Sequence, residues 1–355
     1  MACTVPPQRR LCALCPPSGR SRLWKGAYGR HDQAMSNGFV IPLRRRGDLE
    51  DLGWDSRQIA RALKAGQLIA VRRGVFARAS EVQDLKIEEQ VVVRARSYAA
   101  LASSRPIFAG RTAAALHGLP LIADDGRLHV YSPENRPGAA SDVVRHRGSL
   151  SDDEITEISG IACTSLTRTI ADVARWESRE SAVSAADAAL RAIAWTSPGS
   201  YDLVKAETFR ASALDALDVS PRGRGRGRRV LGFADGRAQR PGESISRIRL
   251  DELGFASPSL QVAVEGPRGK AYWLDFGLDE ADAWGEFDGK VKYRELADAS
   301  GRSSREIVEA EKRREDWIRG TTGRNVVRWG WEHISDAAAL GRRLAAFGVR
   351  PGPRS

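Results

Sequence analysis

Two acid-bearing stretches lie close together in the C-terminal third of the chain: Leu274-Asp275-Phe276-Gly277 and Trp284-Gly285-Glu286-Phe287-Asp288-Gly289-Lys290. Strand side chains alternate between two faces, so Glu286, Asp288 and Lys290 are expected on one face. If the intervening Asp279-Glu280-Ala281-Asp282 forms the turn of an antiparallel hairpin, Asp275 lies opposite Glu286, with Cβ atoms about 4.5–5.5 Å apart. Two carboxylates that close repel each other unless a cation lies between them, which predicts a hard divalent ion such as Mg²⁺.

The apolar residues around these acids favour a buried strand pair over a surface hairpin with solvated charges. Acids without partners are costly in apolar surroundings, which strengthens the expectation of a cation there. The large apolar side chains of the two stretches are Trp273, Leu274, Phe276, Trp284 and Phe287.

The length and the charge of the chain bound its class. With 355 residues, 42% of them apolar and 28% charged, it is long enough for two or three folded units. Its formal net charge of +11 predicts a polyanionic partner, most readily DNA. A general excess of arginine without a specific partner is the alternative.

Neither a membrane nor a disulfide framework is expected. No apolar run approaches the ~18–20 residues of a membrane-spanning helix, and no secretory signal is evident, so a cytoplasmic location is predicted. The cysteines at 3, 12, 15 and 163 do not form a disulfide pattern, and Cys12 and Cys15 lack further zinc ligands. Residues 1–36, rich in Arg, Pro, Gly and Ser, are predicted to be a disordered leader, with Met35 as an alternative start.

Residues 37–82 predict two short helices followed by a hairpin with a basic turn. The first helix ends at Gly53, and the second, capped by Asp55 or Ser56, ends at Gly66. This order in a basic protein is typical of a winged helix-turn-helix, and a helical cap with a solvated basic face is the alternative. The residues expected to contact DNA are Ser56, Arg57, Gln58, Arg61, Lys64, Arg72 and Arg73.

This N-terminal stretch resembles the winged-helix domain of the AbiEi-type antitoxin and transcriptional-regulator family. The matching residues are Asp48-Leu49, Leu52-Gly53 and the run from Gly66 to Phe76. The following region, 83–216, is predicted to be mixed α/β, and its runs at 113–120 and 164–174 look like the same family. The resemblance implies DNA binding, with a cognate toxin or a second copy of the chain as further partners.

Three polar residues of the middle region suggest catalysis but fit structural roles better. Asp172 is expected to pair with Arg168 at i, i+4, and His117 to close a helix before Gly118. The glycine-spaced basic run that follows, Pro221 to Arg229, resembles arms that bind phosphate backbones. An inter-domain linker over 217–240, or a helix weakened by glycine, is the favoured interpretation.

Residues 241–340 predict the order helix, strand, hairpin, helix, strand, followed by a tail over 341–355. This region resembles the restriction-endonuclease-like PD-(D/E)XK nuclease superfamily, closest to very short patch repair endonucleases, which implies an αβββαβ fold. The matching segments are Glu243-Ser244-Ile245-Ser246-Arg247, a glutamine on the next strand, Leu274 to Gly277, Glu286 to Lys290, Glu311 to Asp316, and Val326 to Trp329.

The resemblance implies a Mg²⁺- or Mn²⁺-dependent site that hydrolyses DNA phosphodiester bonds. Asp275, Glu286 and the Phe287 carbonyl would bind the ion, and Glu243 matches the acid on the preceding helix. The superfamily has lysine where this chain has Asp288; Lys290 could replace it, and Asp288 could serve as a ligand or base. The residues expected at the phosphate backbone are Arg313, Arg314 and Arg328. The alternative is a non-enzymatic regulator or type IV toxin–antitoxin antitoxin-like protein with a degenerate nuclease fold.

Overall fold

The computed structural model describes residues 41–132, 142–218, 221–289 and 303–352. The chain is a mixed α/β protein, as predicted, and its described strands form four sheets. The predicted leader and Lys290 lie outside the described residues. None of the helices in the described segments combines the length and the apolar character that crossing a membrane requires.

The N-terminal unit has the predicted order of two helices and a hairpin. Its second helix begins where Asp55 and Gln58 cap each other: each side chain accepts the other's backbone N–H at 2.7 Å. The strands pair in the order β1-β3-β2. The elements are β1 (Arg44–Arg45), α1 (Arg46–Asp51), α2 (Ser56–Lys64), β2 (Leu68–Arg72), β3 (Val75–Arg78) and α3 (Ala79–Val82).

The middle region is a mixed five-stranded sheet, ordered β6-β5-β4-β8-β7, with helices packed on it. Ser165 caps α6, and the two predicted features are present: Arg168 pairs with Asp172 at 3.2 Å, and His117 follows the last residue of α5. The elements up to the sheet's end are α4 (Ile87–Leu101), β4 (Ile107–Phe108), α5 (Gly110–Leu116), β5 (Leu128–Ser132), β6 (Val143–Arg147), β7 (Ile155–Ile158) and β8 (Ile161–Thr164). Those that follow are α6 (Leu166–Trp176), α7 (Arg179–Ala194), β9 (Trp195–Ser197), β10 (Ser200–Tyr201) and α8 (Leu203–Asp218).

Of the two interpretations favoured for the basic run in 217–240, a linker or a helix weakened by glycine, the structure has the helix. Arg224–Phe233 forms helix α9, whose Val230 and Leu231 are buried in the helical core of the middle region. Gly227 faces α8 so closely that a Cβ there would lie 2.6 Å from the Leu217 side chain. The glycine that weakens an isolated helix is therefore the residue that lets this one pack.

The C-terminal region has the predicted αβββαβ order. Its sheet runs β11-β12-β13-β14, with antiparallel pairing except for the parallel pair β13–β14. Pro241 lies in the first turn of α10 and Gly254, at φ 88°, ends it. The elements are α10 (Pro241–Leu253), β11 (Ser259–Glu265), β12 (Ala271–Leu278), β13 (Ala283–Phe287), α11 (Ser304–Thr322), β14 (Asn325–Trp329) and α12 (Ala337–Ala345).

Two apolar cores lie on opposite faces of this sheet. One holds residues of α10 and α12 with Phe276, Val327 and Trp329, and the other holds Ile318 of α11 with Leu274. The predicted tail 341–355 is corrected, since α12 continues to Ala345 and Leu344 and Val349 are buried in the first core.

Helix α10 joins the C-terminal sheet to the middle region. Its Ile248 belongs to the core that α6, α7, α8 and α9 form. On the same helix, Arg247 makes a buried ion pair with Asp187 of α7 at 2.9 Å, and Arg249 pairs with Glu180 at 2.8 Å. The two regions therefore share a core as well as buried charge pairs.

Candidate active site of the C-terminal region

The acid hairpin has the turn and register that the sequence predicts. A 3₁₀ turn spans Asp279–Ala281, and Phe276 lies opposite Gly285 on the paired strand. Continuing this register by one residue brings Asp275 next to Glu286. At the end of the strand pair, the backbone N–H of Phe287 donates to Asp275 Oδ2 at 2.9 Å.

Strand alternation is interrupted at Asp275, which the sequence did not indicate. Leu274 and Phe276 are two residues apart, yet they lie in the two different cores on opposite faces of the sheet. Across from Asp275, Gln261 of β11 has a φ of 51°, a left-handed conformation that is unusual for a residue with a side chain. At this irregularity Asp275 lies against Gln261 and remains close enough to Glu286 for that carboxylate to raise its pKa.

Three side chains from α10, β11 and β12 meet at this irregularity. Gln261 Nε2 donates to Glu243 Oε2 at 3.2 Å and lies 3.5 Å from Asp275 Oδ1. The amide thus bridges two carboxylates. Gln239 completes the group: its backbone N–H donates to Glu243 Oε2 at 2.8 Å, and its side-chain Nε2 to Gln261 Oε1 at 2.6 Å.

Both bridged carboxylates hold their protons more tightly than usual. Burial raises the pKa of Glu243, and the neighbouring Asp275 raises it further. Burial also raises the pKa of Asp275, against the hydrogen bond from the Phe287 N–H, which favours its charged form. Arg240 favours the charged form of both acids, but burial outweighs it, so a cation placed against the pair would relieve both desolvation and repulsion.

Glu286, unlike Glu243 and Asp275, forms ion pairs with two arginines. Its Oε1 accepts a hydrogen bond from Arg314 of α11 at 2.7 Å, and its Oε2 lies 2.9 Å from Arg328 of β14. Arg314 also donates to the Trp273 carbonyl at 2.7 Å, which fixes the guanidinium over the sheet. Glu286 is thus neutralised by two arginines.

Those two arginines, both predicted to contact DNA, are engaged within the protein. Glu311 pairs with Arg314 at 3.1 Å and also with Arg328, while Glu315 lies 3.4 Å from Arg328. The third predicted contact, Arg313, has a side chain 76% exposed and only a 3.7 Å pair with Glu309. Arg313 alone of the three extends into solvent.

The remaining predicted residues follow the end of β13. Asp288 is half-buried, and its backbone N–H donates to the Trp329 carbonyl at 2.8 Å. The Phe287 ring packs edge-on against Trp331, with centroids 5.2 Å apart. Lys290 lies outside the described residues.

The donor atoms of the site suit a hard cation, although the predicted ligand set is altered. Glu243 and Asp275 offer adjacent carboxylate oxygens, the ligands that Mg²⁺ and Mn²⁺ prefer. Glu286 would join them only after its bonds to Arg314 and Arg328 open. In the described ranges, no group of three or more His, Cys, Asp or Glu side chains is arranged to hold a metal ion.

The exposed face of α2 carries the polar residues predicted to contact DNA. Ile59 and Ala62 are buried on its other face. Two of the polar residues also have local roles, since Gln58 caps the helix and Ser56 Oγ accepts a hydrogen bond from Arg46 at 3.1 Å. The exposed residues are Ser56, Arg57, Gln58, Arg61 and Lys64.

The two arginines predicted at the hairpin turn differ. Arg72 forms a two-bonded pair with Asp142, at 2.6 and 3.3 Å, and its guanidinium lies 4.8 Å from the centre of the Tyr98 ring. It therefore ties the hairpin to the middle region. Arg73 is exposed in the turn and free to meet a phosphate.

Gln261 and Gln239 are the site residues that the sequence analysis did not assign. Gln261 was noted as part of the nuclease-like pattern without a role, and Gln239 lay in the predicted linker. The sequence did show a glutamine on the strand next to the acid hairpin. It did not show that Gln261 has a left-handed φ, because no periodic pattern of residues indicates such a conformation.

No protein-family model matches the chain. It is similar to two curated proteins of Mycobacterium tuberculosis, Uncharacterized protein MT2308 of strain CDC 1551 / Oshkosh and Uncharacterized protein Rv2248 of strain ATCC 25618 / H37Rv. Each is 27% identical over 179 residues, which is 50% of this chain and 60% of the relative. The chain thus spans about three fifths of those relatives' length. The crystal structure of the RV2827C protein from Mycobacterium tuberculosis matches 54% of this chain and 75% of its own, with 19% identity and a TM-score of 0.31.

Proposed function

We propose that the chain binds DNA and that its C-terminal region hydrolyses phosphodiester bonds with a divalent cation. The observation that carries the proposal is the buried pair Glu243 and Asp275, which Gln261 bridges and whose pKa values burial raises despite the nearby Arg240. Glu286 differs, because Arg314 and Arg328 pair with it directly. Two adjacent buried carboxylates whose charged forms are disfavoured are typical of a cation site.

The chemistry then divides among residues with different charge environments. Glu243 and Asp275 would hold Mg²⁺ or Mn²⁺, which supplies an activated water and neutralises a phosphate oxygen. Gln261 holds the two carboxylates in one orientation through its amide. Arg314 and Arg328 lie on the far side of Glu286. Their guanidinium groups can bind a phosphate in place of the Glu286 carboxylate.

Plasmid cleavage in the presence of Mg²⁺ or Mn²⁺ tests the activity. Asp275→Asn and Glu243→Gln are expected to abolish nicking, whereas Asp282→Asn, an acid on the same hairpin whose side chain is 78% exposed, is expected to retain it. Cleavage that is equal in the native chain and Asp275→Asn, or that is missing from both, overturns the catalytic proposal.

Thermal unfolding with and without the ion tests the cation site apart from activity. Without metal, Asp275→Asn is expected to be at least as stable as the native chain, because it removes repulsion from a buried pair. With Mn²⁺ the native chain should unfold at a higher temperature and Asp275→Asn should not. An equal rise in both proteins would show that the ion binds elsewhere.

A transcriptional regulator is the second candidate function, and the exposed polar face of α2 favours it. That face lies on a helix followed by a hairpin with Arg73 at its turn, an arrangement suited to reading DNA through the groove. A cognate toxin or a second copy of the chain is the further partner proposed with this function.

The double variant Arg57→Ala, Arg61→Ala should bind its operator more weakly than the native chain. Unchanged affinity, with Lys86→Ala as the control for loss of a surface charge, would rule out α2 as the reading helix.

A further inference from the structure

Helix α9 carries an unbalanced concentration of positive charge. The segment 221–233 contains no acid, and arginines take five of its first nine positions: Arg222, Arg224, Arg226, Arg228 and Arg229. All of them except Arg224, which is half-buried, are exposed. Basic segments elsewhere differ, since in α11 the arginines alternate with glutamates and pair with them.

Among the described residues, one acid forms ion pairs with this cluster, and it reaches two of the five arginines. Asp218 at the end of α8 pairs with Arg224 at 3.3 Å and with Arg228 at 2.9 Å. Within the part of the chain that the structure describes, Arg222, Arg226 and Arg229 form no ion pair. Like charges three and four residues apart on a helix repel each other, so the cluster costs stability in the isolated protein.

Two of the three glycines in α9 are not required by packing within the protein. Gly227 is explained by packing, because a Cβ there would meet Leu217 at 2.6 Å. Gly225 and Gly232 are not, since a Cβ at 225 would contact only the end of the Arg229 side chain at 3.8 Å and one at 232 would meet nothing within 4 Å. Each costs helix stability of about 1 kcal/mol relative to alanine. Gly225 leaves the backbone between the arginines open to a close approach from outside.

We propose that α9 and the turn before it form a second nucleic-acid-binding surface, which holds the phosphate backbone of duplex DNA through Arg222, Arg226 and Arg229. Arg226 and Arg229 are three residues apart on the helix, and both are exposed. Guanidinium groups displayed in this way contact phosphate oxygens without reading bases. The inference rests on the proposed DNA binding but not on cleavage.

Salt-dependent binding of the full chain to a short duplex of random sequence tests the surface. The triple variant Arg222→Ser, Arg226→Ser, Arg229→Ser is compared with Lys86→Ser, Lys205→Ser, Lys270→Ser, which removes the same charge from exposed positions elsewhere. Each lost phosphate contact should reduce the slope of log K against log salt by about 0.9, so the α9 variant should be less steep by about 2–3. A slope equal to that of the lysine control overturns the inference.

Two further measurements separate the possible outcomes. Vesicles containing phosphatidylserine test binding to an anionic membrane. Loss of vesicle binding in the triple arginine variant, with its DNA binding intact, would overturn the inference in favour of a lipid surface.

Plasmid cleavage is followed in the same proteins. If the native chain binds duplex through α9 but cleaves none, the nuclease proposal fails and this inference stands. If the native chain binds no duplex, this inference fails as well.

Discussion

Gln261 holds a conformation that its side chain disfavours, in the strand that borders the acid site. Its φ of 51° is left-handed, and its amide donates to Glu243 and lies close to Asp275. A left-handed conformation costs a residue with a Cβ roughly 1–2 kcal/mol. Backbone strain of this kind persists where surrounding structure requires it, commonly at functional sites.

Two substitutions at Gln261 separate the strain from the amide. Gln261→Ala and Gln261→Gly both remove the bridging group, but glycine adopts positive φ without strain. Gln261→Gly is therefore expected to be the more stable of the two by about 1 kcal/mol in urea unfolding, the reverse of the usual order within a strand. An alanine variant that is the more stable would show that the left-handed conformation is not retained.

Gly242 is required where α10 meets the acid hairpin. A Cβ at this position would lie 2.0 Å from the Phe287 ring, next to Glu243. Gly242→Ala is expected to reduce the free energy of unfolding by about 1–3 kcal/mol, because the ring or the helix must move. Gly320→Ala is the control: it lies in α11 with nothing within 4 Å of its added Cβ, and it should be stabilising by up to about 1 kcal/mol. Equal effects of the two substitutions would contradict the close approach.

At the scale of elements, strands β5 and β6 and helix α6 pack through a pair of histidines. His146 Nε2 lies 3.0 Å from His129 Nδ1, and the His146 ring stacks on Trp176 with centroids 3.6 Å apart. Burial lowers the pKa of His146 to about 3, with a smaller contribution from His129. Both rings are therefore packed in their neutral forms.

This packing makes the middle region sensitive to acid. The unfolded chain binds a proton at each histidine near pH 6.5, while folded His146 resists protonation down to about 3. The stability contributed by the neutral ring is complete above pH 6.5 and is lost as the pH falls from 6.5 toward 3. Between pH 7 and 5, the native chain should lose more free energy of unfolding than His146→Phe, which keeps a ring on Trp176. Equal losses in the two proteins would exclude His146 as the source.

At the scale of the whole molecule, α10 packs in the cores of both the middle and the C-terminal regions. Arg247 is buried against Asp187, donates to the Phe233 carbonyl at 2.6 Å, and lies 4.6 Å from the centre of the Phe233 ring. Removing one partner of such a buried pair leaves an uncompensated charge and costs about 3–5 kcal/mol.

Arg247→Met is therefore expected to destabilise both regions together. Arg179→Met is a matched control, because Arg179 also lies on the Phe233 ring but makes an exposed pair with Asp251. It should cost no more than about 1 kcal/mol. Denaturant unfolding followed by fluorescence and by circular dichroism should give coincident transitions in each protein. Separate transitions in the native chain would show that the two regions unfold independently.

Much of the fold could be predicted from sequence because its signals are local. The caps at Asp55 and Ser165, the hairpin turn at Asp279–Ala281 and the bounds of β6 depend on residues only a few positions apart. The acids of the C-terminal site could be selected on the same basis, since an alternating strand with buried neighbours identifies Asp275 and Glu286. Helix α9 shows the limit: its glycines left a linker and a weakened helix as alternatives, and packing against Leu217 and the surrounding core makes it a helix.

The sequence by itself determined the order of elements, the register of the acid hairpin and the excess positive charge of the chain, because each follows from neighbouring residues or from composition. Only the tertiary structure decided which carboxylates pair with arginine and which are buried against each other. Glu286, predicted to hold a metal ion, faces Arg314 and Arg328, while the left-handed turn of Gln261 brings Asp275 against Glu243. The charge around an acid depends on which helix packs over its sheet and on where the strand departs from regular pleating, and neither is a property of adjacent residues.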